Sequence, residues 1–141
     1  MPGTPQRIDD FSLTCPAEVG AIADVRADFT AWLRRWVVDE ETISDMTVVL
    51  SELLANAVSA AEGTGRTVHV LACAEDSEVV VAVQNPTVRW VDDRWDLDDP
   101  LRLGGRGLLI VRTLVDELEV DRDERAGTTT VRSRKAVPVG G

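Results

Sequence analysis

Two polar side chains on one predicted helix have the types and the spacing for phosphate chemistry. Glu52 and Asn56 lie in the segment Leu50–Ala57 (LSELLANA), and residues four apart are neighbours on one face of a helix. A carboxylate can accept a proton from a hydroxyl group, and an amide oxygen is a hard ligand for Mg²⁺. Taken alone, the pair is more simply explained as a solvated glutamate and a surface asparagine, because glutamate is common on helices.

A glycine-rich turn that leads into an apolar helix is the second candidate. Gly104–Gly107 (GGRG) precedes Leu108–Val115 (LLIVRTLV), and Arg102 and Arg106 are candidate counter-charges. Glycines let the backbone approach an anion closely, and the first-turn amides are free donors at the positive end of the helix dipole. The turn is neither a P-loop nor a dinucleotide-binding motif. Alone it would more often be a tight loop, so its weight comes from the Glu-x-x-x-Asn helix earlier in the chain.

The apolar pattern places Glu52 and Asn56 at the border of a buried helix face. Residues 43–61 form one predicted helix, and its apolar side chains recur at helical spacing. These side chains are Ile43, Met46, Leu50, Leu53, Leu54 and Ala57. Glu52 and Asn56 fall beside that stripe, next to Val49, where a helix would border a cleft.

The remaining patterns predict a two-layer protein. The predicted strands cover residues 8–15, 67–74, 78–84, 117–122 and 128–137, and a further helix covers residues 17–38. Asp39 is the predicted N-cap of the helix that carries Glu52, and residues 79–83 read as a central strand buried on both faces. Residues 86–103 lack a period and are predicted to form a lid, which Trp90 and Trp95 would pin to the body. This order predicts helices packed on one face of a mixed, mostly antiparallel sheet.

Composition limits the partners and the compartment. The 141 residues carry a formal charge of −10, which disfavours nucleic acid and anionic membranes. We expect a flexible tail over residues 1–7 and a single domain over residues 8–138. Cys15 and Cys73 are expected to be buried or half-buried strand thiols in a reducing compartment, and His69 a strand-surface residue. The chain shows no secretory segment and no apolar run near about 18 residues, which indicates a cytoplasmic protein.

Three motifs together resemble those of the GHKL (histidine kinase-like) ATPases. Ser51–Ala57 (SELLANA), Gly105–Val111 (GRGLLIV) and Gly127–Val131 (GTTTV) look like the N box, the second glycine box and the final strand motif. Within that superfamily the chain most resembles small bacterial anti-sigma-factor serine/threonine kinases, notably the short actinobacterial regulators. The similarity extends from about Phe11 to Val137.

The resemblance implies a Bergerat ATP-binding fold, an α/β sandwich that holds ATP and Mg²⁺ between the helices and the lid. Asn56 would coordinate Mg²⁺, and Glu52 would be the general base toward a serine or threonine hydroxyl. The implied nucleotide contacts are Asn85, Arg102, Gly105, Arg106, Gly107, Leu108 and Thr129 (or Thr128). The implied partners are a sigma factor, an anti-anti-sigma (STAS-type) protein or both. Trp32 and Trp36, one turn apart on the first helix, are expected to pack into the core or into an interface. Such regulators often form homodimers, for which these two are the candidate interface residues.

One stretch departs from the family pattern. Asn85 stands where the family carries an aspartate that accepts a hydrogen bond from the adenine amino group, and Pro86 follows where glycines are usual. Ala60 stands where relatives usually carry histidine. Asn85 still offers an amide oxygen, but a neutral acceptor makes a weaker bond. Two functions therefore stay open: an ATP-dependent protein kinase, and a degenerate protein-binding module of the same fold with weak or no ATP binding.

Overall fold

The computed structural model describes residues 10–61, 63–75, 77–86 and 106–137. In chain order, this part of the chain forms β1 (Phe11–Pro16), α1 (Ala21–Leu33), α2 (Glu40–Ala61), β2 (Thr67–Glu75), β3 (Glu78–Pro86), α3 (Arg106–Leu114), β4 (Glu117–Asp123) and β5 (Thr128–Ala136). Each helix and strand predicted from the sequence is present. The predicted lid and the tail lie almost wholly outside the described residues, as do Trp90 and Trp95.

The five strands form one sheet in the order β1-β2-β3-β5-β4. Every described pair of neighbouring strands is antiparallel, so the sheet predicted as mixed is antiparallel throughout these pairs. β5 lies between β3 and β4, because the β4–β5 hairpin docks on β3 through its second strand. The register places Asn85 opposite Thr129, and Thr129 opposite Arg122.

Helix α2 is the centre of the core. Its buried stripe includes Met46, Leu50 and Leu54, each with no exposed surface, and full burial of such a side chain contributes about 1.5–3 kcal/mol. The stripe packs on α1, α3, β2 and β3. Because α2 contacts all of these elements, the residues beside its stripe are held in a fixed position relative to the sheet and to α3.

One face of the sheet is covered by helices and the other is open. Val79, Val81 and Val83 are buried in the core, whereas Val80 is only half-buried on the opposite face. The prediction of a central strand buried on both faces is therefore wrong, with Ala82 as the exception on the open face. A run of valines cannot by itself reveal that only one face has helices to cover it.

The boundary between α1 and α2 is set by Asp39. Its carboxylate accepts hydrogen bonds from the Thr42 backbone N–H (3.0 Å) and the Thr42 hydroxyl (2.5 Å), which confirms the predicted N-cap. These bonds hold the pKa of Asp39 below its usual value, with a smaller contribution from the positive charge of Lys135. Since an N-cap residue has a non-helical backbone, α1 has to end before Asp39. It ends at Leu33 and not at residue 38 as predicted.

The two tryptophans of this region have different environments. Trp32 is buried and its ring centroid lies 5.8 Å from those of Phe11 and Phe29, so it belongs to the core. Of the two places predicted for Trp32, the core and an interface, the structure thus shows the core. Trp36 is 42% exposed, with the Arg35 guanidinium carbon 5.8 Å from its ring centroid.

The cysteines and the histidine lie where the sequence predicted. Cys15 is buried on the helix-covered face, and this burial raises the pKa of its thiol, whereas Cys73 is half-buried. The Nε2 atom of His69 lies 3.1 Å from the hydroxyl of Ser12 on the open face. No carboxylate in the described part of the chain is bonded to this pair, so it lacks the third member of a catalytic triad.

The expectation that no segment is long and apolar enough to cross a membrane needs correcting for α2. This helix has 22 residues, and an 18-residue window within it has a mean hydropathy of 1.2, which would suffice by length and composition alone. In the structure, 44% of that window is buried inside the protein. The core helix of a soluble protein meets the same criteria, and α2 makes the contacts of such a core helix.

Candidate functional site

The Glu52 carboxylate lies against Gly107. A Cβ atom added to Gly107 would stand 2.5 Å from Oε1 of Glu52 and 3.5 Å from its carboxyl carbon. Gly107 is the second residue of α3, so the carboxylate lies at the first helical turn, where backbone amides have no partner within the helix. The two motifs that the sequence combined are thus in direct contact, and glycine is what leaves room for it.

Asn56 lies one turn further along the same face of α2. Its side-chain nitrogen is buried and has no hydrogen-bond partner among the described residues. A buried donor without a partner is costly, by about 1–3 kcal/mol, so it calls for an explanation such as a catalytic role, a water or an ion. An acceptor such as a phosphate oxygen would satisfy this donor. The amide oxygen of the same group is then available to a metal ion, so Asn56 fits both parts of a metal–phosphate ligand.

Asn85 and Thr129 form a second polar cluster at the end of β3 and the start of β5. They are cross-strand neighbours on the helix-covered face, with exposures of 3% and 0%. The Asn85 amide nitrogen donates to the backbone carbonyl of Pro86 at 2.8 Å. This bond identifies the nitrogen, so the oxygen of Asn85 is the atom that can accept a hydrogen bond from a ligand.

Arg122, which sequence reasoning missed, lies beside this cluster on the same face of the sheet, and it is exposed. It stands directly opposite Thr129 across the β4–β5 pair, and directly opposed residues share a face of the sheet. A guanidinium at this place can pair with a phosphate or carboxylate. The only sequence signal was alternation along β4, from Leu118 through Val120 to Arg122. The alternation shows on which face of the sheet Arg122 lies. It does not show which strand pairs with β4, and that pairing decides which residues lie next to Arg122.

The structure describes only some of the other residues that were predicted to contact the nucleotide. Leu108 is buried in the core, with an exposure of 1%, so only its backbone can serve a ligand. Arg106 begins α3, but its side chain lies outside what the structure describes. Arg102 and Gly105 also lie outside the described residues. Ala60, at the position where relatives carry histidine, is half-buried near the end of α2.

A metal at this place would depend on the ligand as well as on the protein. In the described part of the chain, no three His, Cys, Asp or Glu side chains converge as a metal site. Asn56 supplies a single hard oxygen, and Mg²⁺ commonly takes one or two protein oxygens together with substrate phosphates and water. The donor set thus fits Mg²⁺ that arrives with a polyphosphate better than a resident metal ion.

A family comparison covers nearly the whole chain. Residues 15–135 match the family described as "Histidine kinase-like ATPase domain". This match confirms the resemblance to histidine kinase-like ATPases that the three motifs suggested. No curated protein matches the chain significantly.

Two solved structures have a similar fold. One is a crystal structure of the RsbU and RsbW domains of a Mycobacterium tuberculosis protein, with a TM-score of 0.67 and 25% identity over 94% of this chain. This chain spans 32% of that protein. The other is the SiaB–SiaC complex from Pseudomonas aeruginosa, with a TM-score of 0.68, 20% identity and 88% of each chain covered. At that identity the second likeness concerns the fold alone.

Proposed function

Because the chain belongs to the histidine kinase-like ATPase family, we propose that it is an ATP-binding regulatory protein of the anti-sigma-factor type. In this proposal it transfers the γ-phosphoryl group of Mg·ATP to a serine or threonine hydroxyl of an anti-anti-sigma (STAS-type) protein. It also binds a sigma factor, works in the cytoplasm and uses neither nucleic acid nor a membrane as its partner. The likeness, over 94% of this chain, to a structure that contains RsbU and RsbW domains supports this assignment.

One observation carries the proposal: the contact between the Glu52 carboxylate and Gly107. It brings a proton acceptor to the helix turn whose free amides suit a phosphate. Phosphoryl transfer requires positioning and charge neutralisation more than covalent chemistry by the protein. In this role Glu52 accepts the proton of the attacking hydroxyl, while the amides of Gly107 and Leu108 hold the phosphates.

Asn56 and the polar cluster at β3 and β5 would hold the rest of the nucleotide. The amide oxygen of Asn56 would be the protein ligand of Mg²⁺, and its unpartnered nitrogen would donate to a phosphate oxygen. When bound, Mg²⁺ neutralises part of the negative charge of the phosphates. The oxygen of Asn85 would accept a hydrogen bond from the adenine amino group, with Thr129 beside it.

Exposed apolar side chains next to Glu52 support a protein as the phosphate acceptor. Val48 precedes Glu52 by one turn of α2 and is 37% exposed, and Ile110 follows Gly107 by one turn of α3 and is 41% exposed. Since Glu52 and Gly107 touch, these two side chains flank the contact on adjoining helices. A protein acceptor would cover these two apolar side chains, whereas a small polar substrate would leave them in water.

A second candidate function is a protein-binding module of the same fold that binds ATP weakly or not at all. It is favoured by Asn85 and Pro86, which replace the charged acceptor and the glycines of the family pattern at the end of β3. A neutral acceptor forms a weaker hydrogen bond than a carboxylate. The partner-binding surface does not depend on that replacement.

Titration calorimetry with Mg·ATP separates the two functions. The kinase proposal expects a dissociation constant tighter than about 100 μM, whereas the absence of heat at millimolar nucleotide would favour the module. The next step is capture of partners from native cytoplasm with the intact chain, followed by mass spectrometry. Incubation of the captured anti-anti-sigma protein with Mg·ATP should then add one phosphoryl group to a serine or threonine. Binding of Mg·ATP without such transfer would remove the kinase assignment.

A further inference from the structure

The Glu52 carboxylate occupies a place that a phosphate would share. It lies against Gly107 in the first turn of α3, where the helix dipole and the free amides attract negative charge. It is half-buried, so solvent screens it only partly. Among the described side chains, the ion pairs are Arg34–Glu40, Arg134–Glu78 and Arg134–Glu117, and none involves Glu52.

A phosphate group bound to the same amides would be within a few ångströms of this carboxylate. The two like charges repel each other, and the repulsion grows as water is excluded from between them. A divalent cation on the phosphates would offset that repulsion, because it places positive charge between the phosphate oxygens and the protein. Among the described side chains, the metal ligand best placed to hold such a cation is the amide oxygen of Asn56, which is one turn away from Glu52 on the same face of α2.

From this arrangement we propose that Glu52, besides its role toward the hydroxyl group, makes the site selective for metal-loaded nucleotide and against metal-free nucleotide. The inference rests on the proposed function, since it assumes that the polyphosphate binds at Gly107. It assigns the metal requirement to the binding step as well as to the transfer step. A metal-free nucleotide would meet an uncompensated carboxylate, whereas its magnesium complex would not.

The selectivity has a structural basis in Gly107. Any other residue there would place a Cβ atom 2.5 Å from Oε1 of Glu52 and would displace the carboxylate. Glycine therefore serves two purposes: it admits the phosphate, and it keeps the opposing charge close to it. The backbone of Gly107 has no positive φ, so conformational freedom is not the reason for glycine at this position.

The test measures the affinity of ATP with excess Mg²⁺ and with EDTA, by calorimetry, for the native protein and for Glu52→Gln. The substitution removes the charge and keeps the size of the side chain. We expect metal-free ATP to bind about three- to tenfold more tightly to Glu52→Gln, the size of one partly screened repulsion between two charges. Affinity for Mg·ATP should change by less than about twofold. Inorganic triphosphate, which lacks the base, should show the same selective gain.

The matched control is Glu41→Gln, which makes the same chemical change at an exposed position of α2 about three turns away. It should leave both affinities within about twofold of the native values. An equal gain for both ligands in Glu52→Gln, or no gain for metal-free ATP, would overturn the inference while leaving the proposed function intact. If no variant binds either form at millimolar concentration, the nucleotide site itself is wrong and the inference falls with it.

Discussion

The two ends of the candidate nucleotide site differ in how they are built. At the phosphate end, Glu52 touches Gly107 across two packed helices, and Asn56 has a buried donor without a partner among the described residues. At the base end, the amide nitrogen of Asn85 is already bonded to the carbonyl of Pro86. Within the described part of the chain, the phosphate end thus keeps an unused donor, whereas the base end has satisfied part of its own hydrogen-bonding capacity.

Because of this difference, the residues proposed for phosphoryl transfer and those proposed to set the affinity for the nucleotide can be considered separately. The groups that would act on a phosphoryl acceptor match the family pattern, and the groups that would hold the adenine depart from it. A protein of this kind can keep the positioning required for transfer while binding its nucleotide weakly. The two ends can be tested separately, because they lie on different elements of the fold.

The largest expected effect comes from removing the proton acceptor of the phosphate end. Glu52→Ala should lower phosphoryl transfer to the partner by about 10²–10⁴-fold, the usual contribution of a general base. Affinity for Mg·ATP should be preserved. Asn56→Ala should instead weaken both, because the metal ligand serves binding and transfer alike. Transfer measured with labelled ATP and binding measured by calorimetry check the pair. Equal phosphorylation of the partner by Glu52→Ala would remove Glu52 from the role of base.

A smaller effect on phosphoryl transfer is expected when the contact between Glu52 and Gly107 is disturbed but the Glu52 carboxylate is kept. Gly107→Ala should displace Glu52 and lower transfer by about tenfold or more, since misplacement by about 1 Å can cost as much as 10²-fold. Because only the end of a flexible side chain has to move, the midpoint of thermal unfolding should stay close to the native value.

Two controls isolate that contact. Gly20→Ala adds a methyl group where no atom lies within 4 Å, so transfer should be unchanged. In a Glu52→Ala background, Gly107→Ala should have no further effect on transfer, which a double-mutant cycle measures. Additive losses would show that Gly107 acts independently of Glu52.

At the base end, introduction of the aspartate of the family pattern should destabilise this protein. Asn85→Asp would replace the bond to Pro86 by two acceptors facing each other at a buried position, at a cost of about 1–3 kcal/mol in unfolding free energy. Urea unfolding at pH 7 measures the loss. The loss should shrink at acid pH, because burial and the carbonyl raise the pKa of the new carboxyl group, which can donate once protonated.

The neighbouring residue offers a matched control. Gln84→Glu makes the same change from amide to carboxylate, but its partner is the Thr130 hydroxyl at 3.0 Å, which can turn to donate. Its loss of stability should therefore be much smaller. If Asn85→Asp proves as stable as the native protein and binds ATP more tightly, the bond to Pro86 has no structural role. The affinity of the base end for ATP is then limited only by the missing negative charge.

The smallest effect is expected at Asp39, which caps the helix of the phosphate end. Asp39→Ala should lower the unfolding temperature by a few degrees at pH 7, the size typical of a lost N-cap. The lowered pKa of Asp39 means that its stabilisation is present above the ordinary carboxyl pKa and is lost as the pH falls through the lowered value. The difference between the native protein and Asp39→Ala should therefore vanish in strong acid.

Asp39→Asn serves as the control for that titration. An asparagine oxygen can still accept from the first-turn amides and does not titrate, so this variant should show no such loss in acid. Thermal unfolding followed by circular dichroism at several pH values provides the comparison. An unchanged gap between Asp39→Ala and the native protein at all pH values would contradict the role of the carboxylate.

The sequence alone determined the features that depend on neighbours along the chain. The apolar stripe of α2 fixes which face is buried, and so it places Glu52 and Asn56 beside the core. Asp39 and the glycines after α2 define the ends of that helix. The order of the elements and the resemblance of three motifs to a known family predicted the fold, and the two motifs predicted that Glu52 and Gly107 would lie close together.

Tertiary structure decided what depends on residues distant in the chain. Periodicity cannot tell which face of β3 will be covered, nor that Trp32 packs with Phe11 and Phe29 in the core and not in an interface. It also cannot give the register that puts Arg122 opposite Thr129, or the bond that fixes the amide of Asn85. These features follow from how separate elements dock, and the free energy that selects one docking is shared among many contacts.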